Sequence, residues 1–197
     1  FDKKFLASLN IKQPSIEGYI YPATYIFYDE VPSPATILSH MVKNFFRKIP
    51  NDYYDSIKSR KISFTDAVVI ASLIEKETSV REEKFMIAEV ILNRLKGGYH
   101  LGIDASVIYG IKNFDGDLKT SDLKDTSNLY NTRVHRGLPP TAICSFSLGA
   151  LLSVLSPSNN GYYYYVARPG DKNKRHHFSK TLKEHRKYVK KLVNFSK

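Results

Sequence analysis

The sequence predicts an α+β domain, mainly helical with a small antiparallel sheet at its edge, and three observations carry that prediction. Residues 64–78 and 81–96 show helical start and stop signals around apolar residues. The β-rich stretches near the end, YYYYV at 162–166 and His177-Phe178, are short. Composition is that of a globular chain, 42% hydrophobic and 25% charged over 197 residues. A chain of this length buries roughly 70% of the surface its unfolded form exposes, so a core alone can hold it. The single cysteine, Cys144, excludes an internal disulfide and a cysteine-based zinc site. The longest apolar run, Ala67 to Ile74 interrupted by Ser72, falls far short of the ~20 residues that span a membrane.

Glu17 to Phe27, EGYIYPATYIF, reads as extended chain with an edge or bend at Pro22. A helix follows over about 35–47, with Ser33 as cap and Pro34 in the first turn. Residues 51–61 are polar and read as a loop or a short surface helix. The strongest helix runs over 64–78: Ser63 caps it, Asp66 sits in its first turn, and AVVIASLI is too apolar for a surface element, so it is expected at the centre. Phe85, Ala88, Leu92 and Leu95 mark one face of the next helix, over 81–96, which Gly97-Gly98 stops. Residues 98–147 are rich in turn chemistry, and a long irregular stretch in a compact domain is commonly functional. A short helix over 148–155 leads through Asn159-Asn160-Gly161 into the strand 162–167, whose rings are expected to alternate between buried and exposed. His177-Phe178 supply the pairing strand, and Thr181 with Glu184 forms a capping box for the last helix. Residues 1–60 form an N-terminal part, with EGYIYPATY packing on a core of residues 61–197, the two making one domain.

Helical geometry separates two glutamates at the end of the central helix. At about 100° per residue, with Ile70 as zero, Leu73 falls at about 300°, Ile74 at about 40° and Glu77 at about 340°, so Glu77 leaves the middle of an apolar face. Glu75, at about 140°, points away. A carboxyl group among aliphatic side chains loses hydration in its charged form, which raises its pKa and makes Glu77 a candidate general acid. The alternative is a helix-terminal glutamate paired with Arg81 or Lys84. No G-x-S-x-G elbow or phosphate-cradling loop occurs, Cys144 reads as a small buried residue, and the six histidines form no metal spacing, so neither metal nor cofactor is expected.

With these residues in place, a family resemblance emerges. ASLIEKETSVREEKFMIAEVILNRLKGG, then LGIDASVIYG, LYNT, RGLPP and the closing HHF with a later His185, resembles the catalytic domain of the YceG-like (MltG) endolytic murein transglycosylases. EGYIYPATY upstream is similar to that family's E-G-aromatic-x-aromatic-P-x-T-aromatic signature, and the match runs in family order from Glu17 to His185. The sequence departs from the pattern at Gly102, where the family tends to have glutamine, at Ala105-Ser106 in place of Pro-Thr, at Arg133 after Asn131-Thr132, and at Ser147 near a usual glycine.

The resemblance implies a lysozyme- or transglycosylase-like catalytic core. It implies cleavage of the β-1,4 bond between N-acetylmuramic acid and N-acetylglucosamine within glycan strands, leaving 1,6-anhydro ends. Glu77 takes the place of the catalytic glutamate, and Glu77-Thr78 also resembles the Glu-Ser pair of soluble lytic transglycosylases. Tyr130, Asn131, Asp104, Ser106 and Tyr109 are the expected sugar contacts, although Tyr130-Asn131 also reads as a turn with a packed ring. Glu75, Asn93, Arg94, Glu17 and His176 are expected in supporting roles, Asn93 and Arg94 equally as structural hydrogen-bonders. The rival readings are a hydrolytic muramidase with Asp104 or Glu17 as second carboxylate, and a non-catalytic glycan-binding scaffold.

The net charge of +11 sits mostly at the end, where residues 168–197 hold eleven Lys or Arg against two acids and leave +2 for residues 1–167. A terminal run of this kind reads as a solvated face, or as a surface for peptide-stem and muramyl carboxylates or anionic lipid. Nucleic acid is not the expected partner, and a nucleic-acid module would show steeply salt-dependent binding. Phe1 opens the chain without a methionine and no targeting segment is visible, so the sequence reads as a fragment. The family context implies an N-terminal anchor in the bacterial cytoplasmic membrane, a LysM-like module before this domain, action on the extracytoplasmic side, and cell-wall synthases as partners.

Overall fold

The computed structural model describes residues 2–28 and 31–195. Its elements in order are α1 (Lys3–Ser8), α2 (Pro34–Lys48), α3 (Tyr53–Ser59), α4 (Phe64–Glu77), α5 (Arg81–Lys96), α6 (Asp104–Tyr109), a 3-10 turn (Asp122–Lys124), α7 (Leu148–Leu155), β1 (Tyr164–Ala167), β2 (His176–Ser179) and α8 (Leu182–Phe195). The α+β expectation holds, with helices dominant and one antiparallel pair of strands.

Caps set the long helices where the sequence placed them. Ser33 Oγ accepts from Thr36 N to start α2, and Ser63 Oγ accepts from Asp66 N to start α4, each such cap contributing about 1 kcal/mol. Every residue of α4 from Ala67 to Ile74 is buried, as its all-round apolar sequence requires. Each of its large aliphatic side chains contributes roughly 1.5–3 kcal/mol of burial. Helix α7 packs against both α4 and α5, and β1 covers another side of α5. That sandwiching corrects the single-face reading of α5. Ile87, Ala88, Val90 and Ile91 are its buried apolar residues, while Phe85, Leu92 and Leu95 are only half-buried.

Three local expectations change. Residues 51–61 contain the helix α3, and it is no mere surface element: Tyr53 and Ile57 are buried, and the Tyr53 hydroxyl donates to Leu151 O at 3.0 Å. The segment 17–27 is irregular rather than a strand. Tyr19 is buried against Phe45, and Gly18 (φ +85°) passes so close to α4 and the 141–147 segment that a Cβ there would sit 2.6 Å from Ala142 Cβ and 2.9 Å from Val68 Cγ1. A side chain is therefore excluded at Gly18 on two counts, space and backbone conformation. The tyrosines of 162–165 do not alternate either, since all four are half-buried. Helix α8 covers one face of the hairpin and the core supports the other, so both faces are partly shielded.

In the hairpin, Tyr165 pairs with Phe178 and Ala167 with His176. The capping box forms as expected, with Glu184 N donating to Thr181 Oγ1 at 3.2 Å and Thr181 N to Glu184 Oε2 at 3.3 Å. One hydrophobic cluster runs from Leu6 through Tyr53 to Val154, so buried side chains between Leu6 and Ile57 share the core of the later helices. No helix among the described residues is long and apolar enough to cross a membrane.

Candidate active site

Helix α4 ends at Glu77 because Thr78 turns to extended geometry (φ −150°, ψ 141°), so the Glu77 side chain leaves the last turn of a helix fixed by its buried body. Across from it, the Tyr165 hydroxyl of β1 donates to Glu77 Oε2 at 2.8 Å. Burial pushes the Glu77 carboxyl above the ordinary glutamate range. The Tyr165 hydrogen bond and the charges of His176 and Arg94 oppose that rise, while Asp104 adds to it. Burial, then the charge of Glu77, push the Tyr165 hydroxyl well above its usual value, so Tyr165 remains a donor.

Glu77 opens into a cavity of about 420 Å³ that Arg94, Gly102, Asp104, Arg133, Tyr165, His176, His185 and Val189 help to line. Its walls come from five parts of the chain, and buried hydrogen bonds hold them. Glu83, 3% exposed, is the main tie. Its carboxylate accepts from Thr78 Oγ1 at 3.1 Å and from His176 N at 2.7 Å, and lies 2.7 Å from His176 Nδ1. A carboxylate only accepts, so Nδ1 is the donor in this contact. Glu89, also buried, accepts from Ser158 Oγ at 2.6 Å, from Tyr162 N at 3.2 Å and from Gly161 N, which fixes the entry to β1.

Both α5 residues expected in support make backbone contacts to the hairpin. Asn93 Nδ2 donates to Tyr162 O at 2.8 Å and Arg94 Nε to Tyr163 O at 2.7 Å. Arg94 also donates to Leu101 O at 2.6 Å, lies 5.3 Å from the Tyr164 ring centre, and lines the cavity. His185 stacks on Tyr164 at 5.2 Å, so α8 supplies one wall of the site as well as a basic outer surface.

Glu75, as helical geometry requires, faces elsewhere. Lys84 Nζ donates to Glu75 Oε2 at 2.7 Å, and Ser147 Oγ donates to the same oxygen at 2.8 Å. Burial alone would raise its pKa, but these two donors and the Lys84 charge hold it below the ordinary value. Lys84 is thus bound to Glu75 and not to Glu77, which removes the helix-end ion pair with Lys84 as an explanation of Glu77.

The expected sugar contacts divide. Asp104 lines the Glu77 cavity and is paired with Arg133 Nε at 2.6 Å. Ser106 and Asn131 do not face it. Both are 0% exposed; Ser106 Oγ donates to Ile103 O at 2.8 Å, and Asn131 Nδ2 donates to Asp122 O and Asp125 O at 3.0 and 2.9 Å. Their polarity goes into closing the irregular 98–147 stretch, whose carbonyls need donors. Tyr130 bonds Thr141 Oγ1 through its hydroxyl at 2.8 Å, and its ring lies 4.8 Å from that of Tyr109, which is 40% exposed. Glu17 lies on that side too, its charge reaching Tyr109 and Cys144. Among the described residues it is not a wall of the Glu77 cavity.

Sequence reasoning missed Tyr165 and Glu83. Tyr165 sits in a run of four identical residues, and Glu83 resembles any first-turn helix acid. Of the departures from the family pattern, Gly102 and Arg133 line the cavity, and Ser147 caps α7 while donating to Glu75. Burial pushes the Cys144 thiol up to about 11, which leaves no nucleophilic thiolate at neutral pH. Among the described residues no group of three or more His, Cys, Asp or Glu is placed to hold a metal.

Comparison with known proteins gives a consistent result. Residues 2–191 match the YceG-like family. A Bacillus subtilis (strain 168) protein named endolytic murein transglycosylase is 34% identical over 185 residues, covering 94% of this chain and 50% of that protein. A protein of the same name from Streptococcus pneumoniae (strain D39) is 30% identical over 173 residues, covering 82% of this chain and 30% of its own length. The crystal structure of a yceG-like protein from Listeria monocytogenes superposes with a TM-score of 0.83 at 33% identity, covering 94% of this chain and 64% of that one. The chain spans about half the length of the B. subtilis relative. By the extent of these matches, the chain belongs to the YceG-like family.

Proposed function

We propose that this domain is a lytic transglycosylase that cuts the β-1,4 bond between N-acetylmuramic acid and N-acetylglucosamine inside peptidoglycan strands, with Glu77 as its single general acid and base. The observation that carries the reading is the setting of Glu77: a carboxyl group in a lined cavity, with its pKa raised by burial and one neutral hydroxyl donor on it. The names of the B. subtilis and S. pneumoniae relatives support the substrate class.

Protonated Glu77 donates to the glycosidic oxygen as the C1–O bond breaks. The resulting carboxylate takes the proton of the muramic acid C6 hydroxyl while that oxygen bonds to C1, which closes the 1,6-anhydro ring and returns Glu77 to its acid form. No second carboxylate is needed to activate water, in contrast to most glycosidases. Positive charge developing near C1 needs stabilisation by the site or by the substrate's own acetamido group. The Tyr165 hydrogen bond favours the carboxylate half of the cycle and burial favours the acid half, so a proton can move both ways.

One observation favours a second reading. Asp104 lines the same cavity, as a hydrolytic muramidase would require of a second carboxylate. Its ion pair with Arg133 ties up one carboxylate oxygen and weighs against use as a general base. On the first reading the domain acts outside the cytoplasmic membrane, and a membrane anchor and cell-wall synthase partners belong to the same proposal. The test is digestion of purified, uncross-linked glycan strands by the wild type and by Glu77→Gln. Fragments one water lighter than hydrolytic products, absent with the variant, are expected; fragments of hydrolytic mass would select the muramidase.

A further inference from the structure

A second cleft, of about 610 Å³, is lined at two places by residues that follow or precede those of the Glu77 cavity in the chain. On one side Glu77 lines the cavity and Ser79 the cleft; on the other, His176 lines the cavity and Arg175 the cleft. Arg81, Lys172, Lys174 and Arg175 line this cleft against one acid, Glu82. Arg175 is engaged by Asp171 at 2.9 Å, whereas Arg81, Lys172 and Lys174 have no ion pair among the described residues. All three are exposed. Like charges gathered in one concavity raise the local anion concentration and repel one another unless an anion enters.

Resting on the transglycosylase reading, we propose that this cleft is a subsite for the carboxylates of the peptide stem carried by a muramic acid bound next to Glu77. The chemistry fits a substituent rather than the sugar ring, since the glycan backbone carries no charge. The lactyl carboxylate, exposed when a stem is removed, stays within a short ether arm of the ring. Ser79 stands two residues beyond Glu77, and the cleft extends past that to Lys172 and Lys174, so its occupant reaches out from the strand as a stem does. The domain would thereby distinguish stem-bearing strands from stripped ones without any change at the reacting atoms.

The test uses Glu77→Gln, which binds without cutting, and two polymers: uncross-linked strands with intact stems, and the same strands stripped by an amidase. About tenfold tighter binding of the stem-bearing polymer is expected, from three exposed ion pairs each contributing a factor of a few. Adding Arg81→Gln, Lys172→Gln and Lys174→Gln is expected to bring that ratio within about twofold. Equal or tighter binding of the stripped polymer, whose lactyl carboxylates are free, would overturn the proposal, and so would a ratio untouched by the three substitutions. The same loss from Lys183→Gln, Lys187→Gln and Lys190→Gln on the outer face of α8 would overturn it as well, by reducing the effect to net charge. Wild-type protein that cuts neither polymer, while Glu77→Gln keeps the preference, would leave the cleft standing and remove the transglycosylase reading.

Discussion

The two carboxylates at the end of α4 are two residues apart and meet opposite surroundings. Glu75 receives a lysine and a serine hydroxyl, which hold it ionised as a structural tie between α4, α5 and the start of α7. Glu77 receives one tyrosine hydroxyl inside a cavity, and burial outweighs the help that donor gives its charged form. The same side chain on the same helix is thus a brace in one direction and, on the proposed mechanism, a proton carrier in the other. Roughly 200° of helical rotation between them sends each toward a different partner.

Exchanging each acid for its amide breaks that comparison most sharply. Glu77→Gln is expected to lower strand cleavage by about 10³-fold, within the range that general acid–base groups supply, with the fold intact by circular dichroism. Glu75→Gln is expected to leave cleavage within a few-fold and to cost about 2 kcal/mol of unfolding free energy, since a charged hydrogen bond to a nearly buried lysine is lost. Loss of cleavage with Glu75→Gln, in protein of unchanged stability, would reverse the two roles.

Tyr165→Phe sharpens the Glu77 side. The hydroxyl now lowers the Glu77 pKa, so its removal raises it further. On the proposed mechanism protonated Glu77 begins the reaction, so the alkaline limb of kcat/KM is expected to move to higher pH, with the maximum rate down about tenfold. A limb that moved to lower pH would mean that Tyr165 acts on some other group.

Stability against pH separates the two acids by sign. Glu77 has a raised folded pKa, so the stability it contributes is fully present below the unfolded value of 4.5 and is lost as pH rises through the folded value. Glu77→Gln should therefore raise Tm at neutral pH, and the gain should vanish toward pH 4.5 and below. Glu75 has a lowered folded pKa; its contribution is present above 4.5 and is lost as pH falls through the folded value, so Glu75→Gln should lower Tm at neutral pH and have little effect in acid. Asn131→Ala extends the contrast to the irregular stretch. Two carbonyls lose their donor, and a loss of about 1–3 kcal/mol is expected with KM for strands unchanged.

The helices were legible because their signals are local. Ser33 and Ser63 bond the amide three residues on, the Thr181–Glu184 box closes within four residues, and an apolar run such as AVVIASLI needs no partner to be recognised as buried. Glu77 was legible for the same reason, since its direction follows from counting along one helix. Long-range pairings carried no such mark. Nothing in YYYYV says that the fourth ring, 88 residues away, meets the end of α4, or that Glu83 would hold His176 across 93. Ser106 and Asn131 show the converse. A polar residue in a family motif reads as a ligand contact, and nothing in the sequence shows that in this loop-rich segment those side chains donate to backbone carbonyls.

The central claim concerns where one proton resides, and carboxyl-carbon NMR titration of the glutamates, assigned with Glu77→Gln and Glu75→Gln, measures it directly. Glu77 is expected to titrate above the ordinary value of 4.5 and Glu75 below it. A Glu77 resonance that titrates at or below that of Glu75 would contradict the account.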